Sequence, residues 1–476
     1  MSFKYEKIFK EIEKAILNGV FLPSEKLPSL RKSATTYDCG ISVVIQAYNK
    51  LESIGLIESV EKSGYIVRDR SETPIPAPEK VNHTLVPNIT KTNLMTAEMV
   101  DMAMDKSILP FGAAIPDNSI IASKKLGSYI SRKAKNNPDL FTTYTPASGS
   151  LNLRKEIVKY MYKKGVLINS EDIVITNGCS EALFISLSLI TTPGDTIAIE
   201  TPTYFSLISI LEELNLRVVE IPTRADRGLD INNLSKIIKQ NSIKALVFSS
   251  TFQNPLCSVM SPRDLESLYR ISLDNDFTLI EDDIYGDCGF DKSIYRPLKS
   301  MDKFNRVIYC SSFSKTLSSG LRVGWAIPGI HTSSFRERKQ ISCLGGSALI
   351  QEALADFFKD GSYDSHIKLF RKKIYAQTYG IKKLLENSFS IDVKVTSPKG
   401  GYFLWVEFPI GFDSCKLYRL AYENRIGIVP GPVFSASDNY NNCIRISCAS
   451  QITEATIEGL QLLGELALTC LPQCYK

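Results

Sequence analysis

Histidine is almost missing from this chain. Only His83, His331 and His366 occur, far apart in sequence, so a histidine-based metal centre has no foundation here. Paired cysteines are missing too. Eleven cysteines are scattered with no Cys-x-x-Cys pair and no alternation with histidine. That pattern points to reduced thiols in a cytosol and away from a disulfide framework. No uninterrupted apolar run approaches the length of a membrane span, and the first residues, Met1 to Lys7, hold no apolar signal core. No membrane association and a cytoplasmic location are therefore expected. Charge of one sign is scarce as well. Lys and Arg number 56 against 51 Asp and Glu, a net +5 over 476 residues, too mild to imply nucleic acid by itself. What remains is ordinary for a globular chain, 44% hydrophobic and 22% charged, and long enough for two or three domains.

The first seventy residues have a recognisable rhythm. Tyr5, Ile8, Phe9, Ile12, Ile16 and Leu17 recur at helical spacing, predicting an amphipathic helix over about 4–18 that Gly19 ends. Leu27-Pro-Ser-Leu-Arg31 supplies a second start, with Ser29 as N-cap of a short helix to about Tyr37. After the turn Asp38-Cys-Gly40, a helix from about Ser42 to Ser53 carries Val44, Ala47, Tyr48 and Leu51 on one face. Gly55-Leu-Ile57 and Gly64-Tyr-Ile-Val67 read as two short strands around Glu61-Lys-Ser63. This order is a winged helix, in which the second helix of the pair enters the major groove. Its charge is modest: eleven basic and nine acidic residues lie in 1–70. Residues 71–106 come next as a proline-rich, polar linker, within which 97–106 fits a helix.

From Ile173 onward, short apolar runs alternate with amphipathic helices. The strands expected are 173–176, 196–200, 217–221, 245–250, 278–281, 307–311 and 323–327, with helices between most of them. That alternation predicts a mainly parallel α/β sheet over a large domain at 107–335. Beyond it, long helices and the strands 393–396, 402–407, 426–429 and 443–447 predict a smaller α+β domain at 336–476.

Lys315 stands just past the apolar strand at 307, among small hydroxyl residues in Ser311-Ser-Phe-Ser-Lys-Thr-Leu-Ser-Ser-Gly-Leu-Arg-Val-Gly-Trp325. A partly buried lysine loses its proton readily and can attack a carbonyl to form a Schiff base. The hydroxyls and Arg322 suit a phosphate. By itself the run fits a solvated lysine equally well. Four further motifs precede it in order. Thr176-Asn-Gly-Cys-Ser-Glu-Ala-Leu183 joins a strand to a helix N-terminus, where free N–H groups hold anions. Glu200-Thr-Pro-Thr-Tyr204 places an aromatic after a strand, Gln253-Asn-Pro255 offers an amide, and Glu281-Asp-Asp-Ile-Tyr285 offers a carboxylate and a phenol. These are the group types a pyridine cofactor needs: a carboxylate for the ring nitrogen, an amide and a phenol for the ring oxygen, an aromatic over one face.

The five motifs together resemble the class I/II aminotransferases of fold type I, over 107–476. The resemblance implies pyridoxal 5'-phosphate held by Lys315 as the catalytic lysine, with Asp282 at the ring nitrogen and Asn254 and Tyr285 at the ring oxygen. It implies Tyr204 stacked on the ring, and Cys179, Ser180, Ser312 and Arg322 at the phosphate. Tyr144, in Tyr144-Thr-Pro-Ala-Ser-Gly149, matches a tyrosine that reaches the neighbouring subunit's phosphate, which implies a homodimer. Arg445, in Ile444-Arg-Ile-Ser447, matches an arginine that grips a substrate carboxylate, and strand alternation points it away from Ile444 and Ile446. Cys257 stands where that family has glycine after Asn254-Pro-Leu, and Ala114 where a glycine is usual. The front segment resembles the DNA-binding domain of GntR-family regulators. That likeness implies DNA contacts from Arg31, from the helix start at Ser42, and from Lys62, Ser63 and Gly64 in the wing. The whole order is similar to the MocR subfamily. It implies a transcription factor that binds a double-stranded DNA operator and senses a small amine or amino acid through its aminotransferase-like body. The alternative is an active aminotransferase with an accessory winged helix.

Overall fold

A computed structural model of the chain describes residues 4–17, 20–21, 25–54, 56–60, 64–68, 88–89, 95–291, 295–389, 391–437 and 439–471. The first helix, α1 (Lys4–Leu17), buries Ile8, Phe9, Ile12 and Ile16, the stripe its spacing predicts. In α2 (Leu30–Thr36) the Ser29 hydroxyl accepts from the Lys32 N–H, which caps an otherwise orphaned donor. The face of α3 (Ile41–Ser53) formed by Val44, Ala47, Tyr48 and Leu51 is fully covered. Tyr48 locks the pair, its hydroxyl donating to the Pro28 carbonyl at 2.8 Å and lying 2.9 Å from Ser33 Oγ. The wing is the antiparallel pair β1 (Ile57–Val60) and β2 (Gly64–Val67). Gly19, Gly55 and the wing tip 61–63 lie outside the described residues.

The stretch expected as a linker over 71–106 holds the helix expected at about 97–106, and its second half is not a free spacer. Residues 71–87 lie outside the described set, but the next two elements are docked on the body. β3 (Asn88–Ile89) is an edge strand of the large sheet, and α4 (Met95–Met104) buries Met99 and Met102 in the small domain's core. Those methionines supply apolar surface that a solvated linker would leave in water.

The body continues in chain order as α5 (Ser123–Asn136), α6 (Leu151–Lys163), β4 (Val174–Thr176), α7 (Cys179–Ile190), β5 (Thr196–Thr201), α8 (Phe205–Glu213), β6 (Arg217–Arg224), β7 (Gly228–Leu229), α9 (Ile231–Gln240), β8 (Ile243–Phe248), α10 (Pro262–Asp274), β9 (Thr278–Asp282), β10 (Val307–Ser312), β11 (Gly324–Ile327), α11 (Thr332–Cys343), α12 (Ala348–Lys359) and α13 (Ser362–Ser388). The large sheet runs β3-β6-β5-β8-β9-β10-β11-β4, with β7 paired to β6. From β6 to β10 every neighbour is parallel, whereas β11 is antiparallel to both β10 and β4. Helices cover both faces, which is why its central strands are apolar on both sides. The small domain is the antiparallel sheet β12 (Lys394–Val395), β13 (Phe403–Glu407), β15 (Cys443–Ser447) and β14 (Val429–Pro430), packed with α14 (Ser414–Glu423) and α15 (Glu454–Leu468).

Packing divides the body elsewhere than at 336. Ala353, Leu354 and Phe357 of α12 share a core with Leu126 of α5 and Leu153 and Ile157 of α6, so α12 is part of the large domain. Ile108 and Phe111 pack in the opposite direction, into the small domain's core. The long helix α13 crosses between the two: Tyr363 and Ile367 belong to the large-domain core, and Phe370 and Ile374 to the small-domain core.

Candidate functional site

A cavity of about 210 Å³ opens at the carboxyl ends of β5, β8 and β9, where sheets of this kind place ligands. Seven of the expected residues, Cys179, Ser180, Tyr204, Asn254, Asp282, Tyr285 and Arg322, line it with Lys315. The lysine is brought there by the turn after β10, anchored by fully buried Phe313. Its Nζ donates to the Ala114 carbonyl at 2.8 Å. Burial first, then the positive charges of Arg445 and Arg322, lower its pKa to about 8. Asp282 ends β9 and accepts from the Cys179 thiol at 3.3 Å and the Ile284 N–H at 3.2 Å. Burial raises its pKa to about 6.

One end of the cavity is formed by α7 and Arg322. The first-turn N–H groups of a helix have no partner within it, and that turn lines the cavity at Cys179 and Ser180. Arg322, held at a left-handed φ of 53°, donates through Nη2 to the Asn177 carbonyl at 2.9 Å and through Nη1 to Ser314 Oγ at 3.4 Å. Gly178 lets it approach: a Cβ there would stand 2.6 Å from Nη2, on a backbone at φ +88°. Gly178→Ala is therefore expected to displace the guanidinium and weaken pyridoxal phosphate binding by about tenfold or more, the order of one lost charge-assisted hydrogen bond. Equilibrium dialysis checks it, and unchanged affinity would remove Arg322 from the phosphate site.

Three expected residues lie elsewhere. Ser312 does not line the cavity; its hydroxyl donates to the Val323 carbonyl at 3.0 Å inside the sheet, and Ser314 takes the lining position. The hairpin to β11 turns Ser312 inward. Arg445 is 1% exposed and sits behind Asn254, donating to Asn254 Oδ1 at 2.9 Å and to the Gly112 carbonyl at 2.6 Å. Its guanidinium lies between the rings of Phe403 and Phe434. All of β15 is buried, so alternation does not separate Arg445 from its neighbours. Tyr144, expected at the neighbouring subunit's phosphate and not at this cavity, is 85% exposed.

Two features escaped the sequence reading. Glu200, quoted only as the start of a motif, lines the cavity with Oε2 accepting from the Ser249 N–H, and burial raises its pKa to about 8. Beside Asp282, a buried polar network joins Asp283 to Tyr309 (2.7 Å), Thr251 (2.6 Å) and Lys164 (3.1 Å). Lys164 also pairs with Asp287, which accepts from the hydroxyls of Tyr160 and Tyr363.

On the winged helix, Arg31 on α2, Ser42 in the first turn of α3, and Gly64 at the head of β2 are all exposed. Lys62 and Ser63 lie outside the described residues. Among the described residues no cluster could hold a metal ion, and no helix is long and apolar enough to cross a membrane.

The donor set fits pyridoxal phosphate. A lysine with a lowered pKa, a desolvated carboxyl in no close ion pair among the described residues, an amide, two phenols, and a helix N-terminus beside an arginine converge on one cavity.

Comparison with known proteins agrees. Residues 120–461 match the model of the family "Aminotransferase class I and II", and residues 4–67 match "Bacterial regulatory proteins, gntR family". The HTH-type transcriptional regulator YjiR of Escherichia coli K12 is 31% identical over 97% of this chain and 98% of its own. NorG of Staphylococcus aureus, also an HTH-type transcriptional regulator, is 28% identical over 90% and 96%. Among solved structures, the kynurenine aminotransferase of Pyrococcus horikoshii, crystallised with PMP, superposes with a TM-score of 0.74 at 26% identity, covering 80% of this chain and 96% of that one. LysN of Thermus thermophilus, an alpha-aminoadipate aminotransferase, gives 0.73 at 25% identity over 78% and 95%.

Proposed function

The chain belongs to the class I and II aminotransferase family, joined to a gntR-type winged helix in the MocR-like arrangement, and we propose that it is a DNA-binding transcriptional regulator that senses a small amine or amino acid at a pyridoxal phosphate held by Lys315. When bound, the cofactor supplies a reactive carbonyl and an electron-withdrawing ring. The residues do the rest. Lys315 offers a neutral amine, Asp282 offers a carboxyl that a protonated ring nitrogen would hold ionised, and Arg322 with the α7 N-terminus holds the phosphate. Tyr204 would stack on the ring, and Asn254 and Tyr285 would bond its oxygen. Arg445 reaches an effector carboxylate once Asn254 and Gly112 release it.

One observation carries the sensing part of the reading. At one end of α13, His366 Nε2 donates to the carbonyl of Thr316, the neighbour of Lys315, at 2.6 Å. At the far half of the same helix, Tyr379 packs on the winged-helix core. A change at Lys315 that favours one placing of α13 over another therefore bears on the winged helix, by differential affinity alone. The body works as a homodimer, with Phe141, Tyr144, Leu151, Ile341 and Leu344 as exposed apolar surface for the partner subunit.

The test is binding of the full-length, cofactor-loaded protein to duplex DNA from upstream of its own gene, with and without a panel of amines and amino acids. One of them should change the affinity severalfold; no change with any would remove the sensing role. The lowered pKa of Lys315 also favours a second reading, transaminase turnover, because such an amine can accept and return a proton at neutral pH. Repeated turnover with an amino acid and a keto acid would establish it.

A further inference from the structure

The net charge of this chain is concentrated in one place. Residues 123–164 hold ten lysines and arginines against two acidic residues, an excess of eight along the sequence while the whole chain carries +5, although Arg154 and Lys164 are buried and paired with Glu171, Asp283 and Asp287. The remainder is therefore net −3. The segment comprises α5, α6 and the loop between them, and α5 has no acidic residue at all.

Its placement is directional. At about 100° per residue, Lys124, Lys125, Arg132 and Lys135 fall within about a 100° arc of α5. All four are exposed, while Leu126 and Tyr129, outside that arc, are buried. The acidic groups of neighbouring elements sit along the inner edge and are already engaged. Asp356 pairs with Lys133 at 2.7 Å, Glu156 with Lys159 at 2.7 Å, and Asp364 with Lys163 at 2.6 Å. Among the described residues, Lys124, Lys125 and Lys135 have no acidic partner. Beside this arc, a groove of about 540 Å³ between α5, α6 and α12 is lined by four lysines, Lys133, Lys155, Lys159 and Lys359, and by Glu156, Glu352 and Asp356.

We propose that this face is a second DNA-contact surface, engaging the phosphate backbone of the duplex that the winged helix reads. The inference rests on the regulator reading above. The occupant is chosen by charge and by need. The winged-helix segment carries a net excess of only two positive charges, a weak field for a polyanion, so phosphate contacts elsewhere on the chain would add to the long-range attraction. Lysines on a rigid helix are point charges without a base-reading fork, so they position a backbone and carry no sequence information. The distance allows it. Tyr129 meets Ser362 at the start of α13, and Tyr379 on the same helix packs on the winged-helix core. Seventeen residues of helix span about 25 Å, less than the roughly 34 Å of one duplex turn.

The test uses the full-length, cofactor-loaded protein and its K124Q/K125Q/K135Q variant. Each is titrated at several salt concentrations with a mixed-sequence duplex and with the duplex from upstream of its own gene. The variant should lose about 0.9 per lysine, roughly 2.7 in all, from the slope of log K against log salt on both duplexes, and bind about tenfold or more weakly at low salt. Its melting temperature and cofactor absorbance should match the wild type. Arg31→Ala should instead lose the preference for the upstream duplex and change the slope by about one at most. If the wild type binds but the triple variant keeps its slope and affinity, the lysine face contacts something other than DNA and the proposal is overturned. A wild type that binds neither duplex overturns the regulator reading and this inference with it.

Discussion

Lys315→Ala protein mixed with pyridoxal phosphate is expected to lose the visible absorbance of the lysine-bound cofactor completely. Lys315 is the one amine lining the cavity among the described residues, so nothing nearby replaces it. Arg322 and the α7 N-terminus remain, and the variant should still bind the phosphate group, which competition with inorganic phosphate would show. Retention of the band would mean that another lysine carries the attachment. The pH dependence comes from the same side chain. Its pKa, lowered from 10.5 to about 8, makes the neutral fraction at pH 7 roughly 300-fold larger than for an unperturbed lysine. Only the neutral amine attacks a carbonyl. Attachment to cofactor-free protein should therefore quicken about tenfold per pH unit below 8 and level off above it. Stopped-flow absorbance distinguishes this from a surface lysine, whose rate would keep climbing toward pH 10.5.

The site was legible where its chemistry lies close in sequence to a strand end. Asp282, Tyr204 and Lys315 each come after an apolar run, and the runs became β9, β5 and β10 nearly as expected. Direction was not legible: nothing in 324–327 marks β11 as antiparallel to its neighbours. Alternation failed at Arg445 because β15 is covered on both faces, so period two carries no information there. Ser312 and Ser314 are chemically equivalent in the run, and only the hairpin decides which one faces the cavity. The helix that joins the site to the winged helix was hidden for another reason. His366 and Tyr379 lie 50 or more residues beyond Lys315, and only tertiary packing shows that one helix serves both ends.

The same dependence on distant partners makes Asp287 a vulnerable residue of the scaffold. It is 7% exposed and joins two helices: Tyr160 of α6 at 2.8 Å and Lys164, the C-cap of α6, at 3.5 Å, with Tyr363 of α13 at 2.7 Å. Burial alone would raise its pKa. The opposing charges of Lys164 and Arg371, with the two phenols, outweigh burial and hold it below the ordinary carboxylate value. Lys164 is buried too, and Asp283 and Asp287 together keep it charged. Asp287→Ala leaves that cation half-compensated, the Tyr160 phenol without its acceptor and Tyr363 with only the longer contact to Thr316, and is expected to cost about 3–5 kcal/mol. Urea or thermal unfolding measures it, and a loss of under about 1 kcal/mol would show that Asp283 alone suffices. The sign of the pH effect is fixed by the depressed pKa. The stabilisation is fully present above the unfolded carboxylate value, near 4, and is lost as pH falls through the lower folded value. Wild type should thus lose stability in acid more steeply than Asp287→Ala. Because Tyr363 also lies 3.4 Å from the Thr316 hydroxyl, the variant should loosen α13 beside Lys315 as well. Faster amide exchange in α13, together with a weaker effect of the amine effector on DNA affinity, would place this network in the path between cofactor site and winged helix. Unchanged exchange would confine it to stability.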